Sequence, residues 1–207
     1  AGLNCPIRYT GYVGQTEVRP GPGPTEVCPT TKDSPTLLVS AGGGRVGHEL
    51  IACALDAETR LAGRIQLRIL AGPHMPEEQF QDLQERVAGR SHITLQRHTT
   101  QFVDLLRQAD LSISMAGYNT CMDILSAGVR ALVWPFTEHE NGEQTLRARK
   151  LEQLGYVSVL GPARLDPDYL GAEITRCLSM PARAPSVALD LQGAPRTAAL
   201  LAALLHE

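Results

Sequence analysis

The stretch Asp110-Leu111-Ser112-Ile113-Ser114-Met115-Ala116-Gly117-Tyr118-Asn119-Thr120-Cys121-Met122-Asp123-Ile124-Leu125-Ser126 decides the fold. Leu111, Ile113 and Met115 alternate with serines, the pattern of the end of a strand. Ala116-Gly117 interrupts it, and Asn119 or Thr120 is then expected to cap a helix carrying Met122, Ile124 and Leu125. A strand, a tight glycine turn and an open helix start make an anion site, because free N–H groups and the positive end of the helix dipole converge on the turn. Asp123 follows Thr120 on the helix face above that open end. An anion on the turn with a carboxylate one turn further in suits a nucleotide, diphosphate below and ribose hydroxyls beside the acid. The same residues have a second reading, in which Thr120-x-x-Asp123 is only a capping box with a short acid.

Outward from this stretch, strands and helices alternate. Thr36 to Ser40, Ile65 to Leu70 and Ile93 to Gln96 read as strands before it. Helices follow each of them: His48 to Leu61, a segment opened by Pro76, and one capped by Thr99 or Thr100 through Ala109. After it come a strand at Arg130 to Trp134, a helix carrying Leu146, Ala148, Leu151 and Leu154, and a strand at Tyr156 to Leu160. Leu170 to Met180 and Ala194 to His206 close the chain as helices. The strands are apolar runs, so the expected fold is α/β: a doubly wound, Rossmann-like six-stranded parallel sheet with helices on both faces. Ligands of such sheets bind beyond the carboxyl ends of the strands, where the strand order reverses.

Residues 1–34 differ in kind. Pro20-Gly21-Pro22-Gly23-Pro24 cannot hold a helix or an interior strand, so the segment is expected to be a Pro/Gly-rich linker or interdomain connector. Ile7 to Val13 alternates briefly and suits an edge strand or a connector. Residues 35–207 then form the compact domain. The chain starts without Met or a signal peptide and reads as a piece of a longer protein.

Composition narrows the classes. The 207 residues carry a net charge of −3, 43% hydrophobic and 4% aromatic residues. That argues against nucleic acid as a partner, and no apolar run approaches the roughly 20 residues of a transmembrane segment. Cys5, Cys28, Cys53, Cys121 and Cys177 are scattered without metal-ligand spacing, so reduced thiols, a cytoplasmic setting and no metal site are expected.

Gly42-Gly43-Gly44-Arg45-Val46-Gly47 matches the dinucleotide fingerprint after a strand. A dehydrogenase would need an acid at the end of the second strand, where Leu70-Ala71-Gly72-Pro73 has none. Gly43 and Gly44 can still bring backbone close to a phosphate and Arg45 can offset its charge; a purely structural turn is the alternative. In Glu138-His139-Glu140-Asn141-Gly142-Glu143-Gln144, Asn141 and Gln144 fit a capping box. Glu143 and Gln144 also fit a pair that faces the same crevice as Gly117 and bonds sugar hydroxyls. His98 and His139 border that edge.

Taken in order, the Leu37 to Leu55 loop unit, Ser114-Met115-Ala116-Gly117-Tyr118-Asn119-Thr120, Val133-Trp134-Pro135-Phe136 and Glu143-Gln144-x-x-Arg147-Ala148 resemble the C-terminal, donor-binding half of a GT-B glycosyltransferase. The resemblance spans about Ser34 to Met180 and is nearest the branch that contains the bacterial N-acetylglucosaminyl transferase forming lipid II. It implies that Gly117, Tyr118, Asn119 and Thr120 hold the donor diphosphate and that Asp123 bonds the ribose. It further implies that Glu143 and Gln144 bond the donor sugar and that the His98-Thr99 segment meets the base, uracil in that branch. Ala116, the shorter acid Asp123 and a loop one residue longer before Glu143 depart from the branch. The implied activity is inverting, metal-independent transfer from a nucleotide diphosphate sugar, with no cofactor. The implied partners are the donor and the chain's own N-terminal acceptor-binding domain, which would supply the base and any peripheral membrane contact. The isolated chain would then be inactive. A nucleotide-sugar epimerase or hydrolase of the same fold, or a separate donor-binding subunit, are the alternatives.

Overall fold

The computed structural model describes residues 7–14, 34–61, 64–136, 142–161, 165–181 and 187–205. Its centre is a 6-stranded sheet of order β3-β2-β1-β4-β5-β6, built from β1 (Thr36–Ser40), β2 (Gln66–Leu70), β3 (Ile93–Gln96), β4 (Leu111–Met115), β5 (Ala131–Trp134) and β6 (Ser158–Val159). Every pairing is parallel. The helices are α1 (His48–Arg60), α2 (Glu77–Val87), α3 (Phe102–Gln108), α4 (Tyr118–Ala127), α5 (Glu143–Gln153), α6 (Pro167–Ser179) and α7 (Gly193–Leu204).

Side-chain alternation along each strand sends residues to two separate cores. Leu37, Val39, Ile113, Leu132 and Trp134 join α1, α2 and α6 on one face. Leu38, Ala131 and Val133 join α3, α4 and α5 on the other. Both faces are therefore covered, which is why the strands are apolar throughout rather than one-sided. The serines of β4 follow the same rule. Ser112 and Ser114 are fully buried and satisfy each other through a 2.9 Å hydroxyl pair, so the alternation in β4 does not mark a solvent face. The outer strand β6 is shorter than the sequence suggested, Ser158–Val159 instead of Tyr156 to Leu160. Its neighbours Val157 and Leu160 are buried all the same.

Helix starts differ most from expectation. Gly117 is the N-cap of α4 and no side chain caps that end, so Asn119 and Thr120 lie inside the first turn. Thr99 accepts a hydrogen bond from the Gln101 amide, forming a turn ahead of α3, whose N-cap is Gln101. The helix α6 starts before Leu170, because Asp166 caps it, accepting from the Tyr169 amide at 2.9 Å, with proline in its first turn.

Segment 7–14 adds no strand to the sheet. It makes one antiparallel bridge, Val13 to Gln192, supported by Tyr12 N–H to the Asp190 carbonyl and Gly193 N–H to the Tyr12 carbonyl, both 2.9 Å. The run Pro20 to Pro24 lies outside the described residues, as do Cys5 and Cys28; Cys53, Cys121 and Cys177 are free thiols.

Candidate functional site

Strand order reverses between β1 and β4: the chain moves outward through β2 and β3, then returns to start β4 beside β1. The loops leaving β1 and β4 consequently diverge and leave a crevice at their carboxyl ends. Thr120 sits at that crevice. Its hydroxyl lies 3.6 Å from where a Cβ on Gly42 would stand and 3.9 Å from where one on Gly117 would stand, so the two glycine turns face each other across it.

The amides of Gly117, Tyr118, Asn119 and Thr120 have no acceptor among the described residues; the first helical bond of α4 runs from Cys121 N–H to the Gly117 carbonyl at 2.9 Å. With no capping side chain, these donors and the positive end of the helix dipole are left open to an anion. On the other side of the crevice, the Gly42 amide bonds Ser40 Oγ at 3.2 Å and the Gly44 amide bonds the Ala41 carbonyl at 3.3 Å. Gly43 is exposed, and a Cβ there would meet nothing within 4 Å. Gly44 has φ +87° and packs its backbone on the β2 loop, where a Cβ would stand 2.6 Å from the Ala71 carbonyl oxygen. Thus Gly44 holds two loops together, while Gly43 and exposed Arg45 face solvent at the rim.

Asp123 is 9% exposed, and its carboxylate has no hydrogen-bond or ionic partner among the described residues. It follows Thr120 by one helical turn of α4, and helical side chains lean toward the N-terminus. Asp123 therefore shares the helix face that carries Thr120. Burial pushes its pKa up to about 6, because nothing nearby favours the charged form.

The first turn of α5 closes the site from the side of β5. Arg147 donates from Nη1 to the Ala116 carbonyl at 3.0 Å, pairs with Glu143 and lies 5.4 Å from the Tyr118 ring centroid. The Tyr118 hydroxyl accepts from the Val13 amide at 3.1 Å. Glu143 thus stands near the turn, but tied to Arg147 rather than free. Gln144 accepts at its Oε1 from the Phe136 amide, 3.1 Å; it closes the β5 exit instead of completing a capping box, and only its NH2 group stays available. Glu138, His139, Glu140 and Asn141 lie outside the described residues. At the end of β5, Trp134 is in register with Met115 and 8% exposed, and its indole N–H has no acceptor among the described residues.

His98 and Thr99 are not brought to this turn. They leave β3, which is separated from β4 by β2 and β1, about 14 Å at the usual strand spacing. His98 is exposed there. Arg147 is the residue at the turn that the sequence-based candidates omit; its i, i+4 spacing from Glu143 was the available signal. Among the described residues no group of three or more His, Cys, Asp or Glu is placed to hold a metal ion, and no helix is long and apolar enough to cross a membrane.

A family model for the glycosyltransferase family 28 C-terminal domain matches residues 36–199. The UDP-N-acetylglucosamine–N-acetylmuramyl-(pentapeptide) pyrophosphoryl-undecaprenol N-acetylglucosamine transferase of Acidothermus cellulolyticus is 28% identical over 138 residues, 66% of this chain and 37% of that protein. The chain thus spans little more than a third of the curated relative's length. Two solved structures share the fold. MurG of Acinetobacter baumannii matches with a TM-score of 0.56 and 21% identity over 70% of this chain and 42% of that one. The UDP-GlcNAc 2-epimerase of Methanocaldococcus jannaschii, solved with UDP-GlcNAc and UDP, matches with a TM-score of 0.57 and 9% identity over 83% and 46%.

Proposed function

The chain belongs to the glycosyltransferase family 28 C-terminal domain family, and from that premise we propose that it is the donor-binding half of an inverting glycosyltransferase that takes a uridine diphosphate sugar. The observation that carries the reading is the open start of α4, where the amides of Gly117 to Thr120 and the buried Asp123 have no partner among the described residues. In this reading the diphosphate rests on those amides, with the Gly43-Gly44-Arg45 rim opposite. Asp123 accepts from the ribose hydroxyls, and Glu143 with the Gln144 NH2 group meets the sugar. The base extends along the sheet edge toward His98 and Thr99.

The chemistry follows from placement. When the glycosidic bond breaks, negative charge builds on the departing diphosphate, and preorganised amides with a helix dipole stabilise that charge without reorganising. No metal or cofactor is needed for that step. A general base must still deprotonate the acceptor; in this reading it belongs to an N-terminal acceptor domain, with residues 1–34 as the connector and 35–207 as the donor domain. The isolated chain is accordingly a donor binder without turnover.

Titration calorimetry with UDP, UDP-sugars and uridine tests this. Hydrogen bonds to charged groups contribute about 1.5–3 kcal/mol, so Asp123→Asn weakens UDP-sugar binding by roughly 10- to 100-fold. Unchanged affinity in that variant rejects the ribose assignment. The solved epimerases share the fold, and product analysis of the longer protein separates the two activities: a glycosylated acceptor supports transfer, an epimerised donor overturns it.

A further inference from the structure

We propose that Arg147 neutralises the donor diphosphate, and that Glu143 is its counterion only until the donor arrives. The proposal rests on the donor-binding reading and adds to it a residue and an order of events.

The two members of this ion pair are held very differently. The Arg147 side chain is 13% exposed and Glu143 is 75% exposed. Arg147 is also fixed by the Ala116 carbonyl and the Tyr118 ring, residues that flank Gly117. The cation is therefore locked beside the open amides, and the anion is an exposed side chain on the first turn of α5. Asp123 does not compete for the guanidinium, because its carboxylate has no partner among the described residues. An anion on the Gly117–Thr120 amides meets Arg147 without any backbone change, since Arg147 already grips the residue before that turn.

An exposed carboxylate in an i, i+4 pair is a weak partner. A diphosphate carries more charge, and its oxygens fit the guanidinium fork in a charge-assisted, bidentate contact. The diphosphate therefore displaces Glu143. The freed carboxylate stays at the mouth of the crevice, now able to accept from a sugar hydroxyl. Sugar recognition by Glu143 becomes conditional on the diphosphate: a bare sugar or nucleoside meets a Glu143 that is still engaged, and a nucleotide sugar meets one that is released.

Calorimetry on the whole chain tests the exchange with inorganic pyrophosphate, UDP, uridine and a UDP-sugar. Arg147→Gln is expected to weaken pyrophosphate and UDP by roughly 10- to 100-fold while leaving uridine unchanged. Arg147→Lys, which keeps the charge and loses the fork, falls between. Glu143→Gln is expected to strengthen pyrophosphate and UDP by about twofold, by removing the competing anion, and to lower the preference for UDP-sugar over UDP. Equal losses for uridine and UDP in both Arg147 variants would reduce Arg147 to a shape-holding residue and overturn the proposal, as would unchanged pyrophosphate binding in Arg147→Gln. Failure of the unaltered chain to bind pyrophosphate and every nucleoside diphosphate would instead overturn the donor reading itself.

Discussion

Two buried carboxylates sit at opposite ends of this sheet and are treated in opposite ways. Glu58, in the last turn of α1, is 2% exposed and engages Arg90 together with His92, the latter at 2.9 Å. Asp123, near the start of α4, is 9% exposed and has no partner among the described residues. Burying a charge is costly unless it is paired. At the amino edge of the sheet the fold supplies the pair from its own residues. At the carboxyl edge both the acid and the neighbouring amides have no partner among the described residues, the contrast on which the proposed donor site rests. The difference teaches where to expect stability and where to expect binding.

The contrast is broken most directly at Glu58. Glu58→Gln weakens two charge-assisted contacts of a buried carboxylate, to Arg90 and His92, and is expected to lower unfolding free energy by about 3 kcal/mol. Urea denaturation measures this, and donor affinity should not move. A variant as stable as the parent would remove the distinction between the two ends.

Next in size is the pH response of Asp123. Its folded-state pKa of about 6 lies above the ordinary 3.8, so the empty fold holds a proton that the unfolded chain has released. Stability through this group is complete below about pH 4 and is lost as pH rises through about 6, on the order of 2–3 kcal/mol. Asp123→Asn removes that slope, read as the difference between the two pH–stability curves. Ribose hydroxyls favour the ionised acid, so donor affinity should rise with pH through the same window in the parent only.

The glycine loops sharpen the comparison on a finer scale. Gly44→Ala puts a Cβ 2.6 Å from the Ala71 carbonyl at φ +87° and should cost about 2 kcal/mol. Gly43→Ala points into open space and should change stability by no more than about 0.5 kcal/mol. Any loss of donor affinity in that second variant then reports a ligand at the rim. Thermal melts with and without UDP separate the two effects.

What was legible in the sequence follows the range of the forces involved. The strands and most helices are written in runs of a few residues, so β1, β3, α1 and the glycine turns were readable, and so was the six-stranded parallel sheet. The family resemblance is likewise met by the match over residues 36–199. Local chemistry misled where tertiary packing won: Thr120 looked like a cap but turns its hydroxyl to the crevice. Asp166-Pro167 was a readable helix start that the apolar periodicity beginning at Leu170 obscured. The Arg147 contact with Ala116 bridges 31 positions and the Glu58–His92 contact 34. Such pairings belong to the fold and not to any stretch of it.

The sole tryptophan of the chain stands at the exit of β5, in register with Met115 and among apolar neighbours. All indole fluorescence of this chain therefore arises from a single, largely buried ring at the carboxyl end of β5. A titration followed at one emission wavelength reads that strand end alone, unlabelled, on the edge of the sheet where the proposed donor site lies.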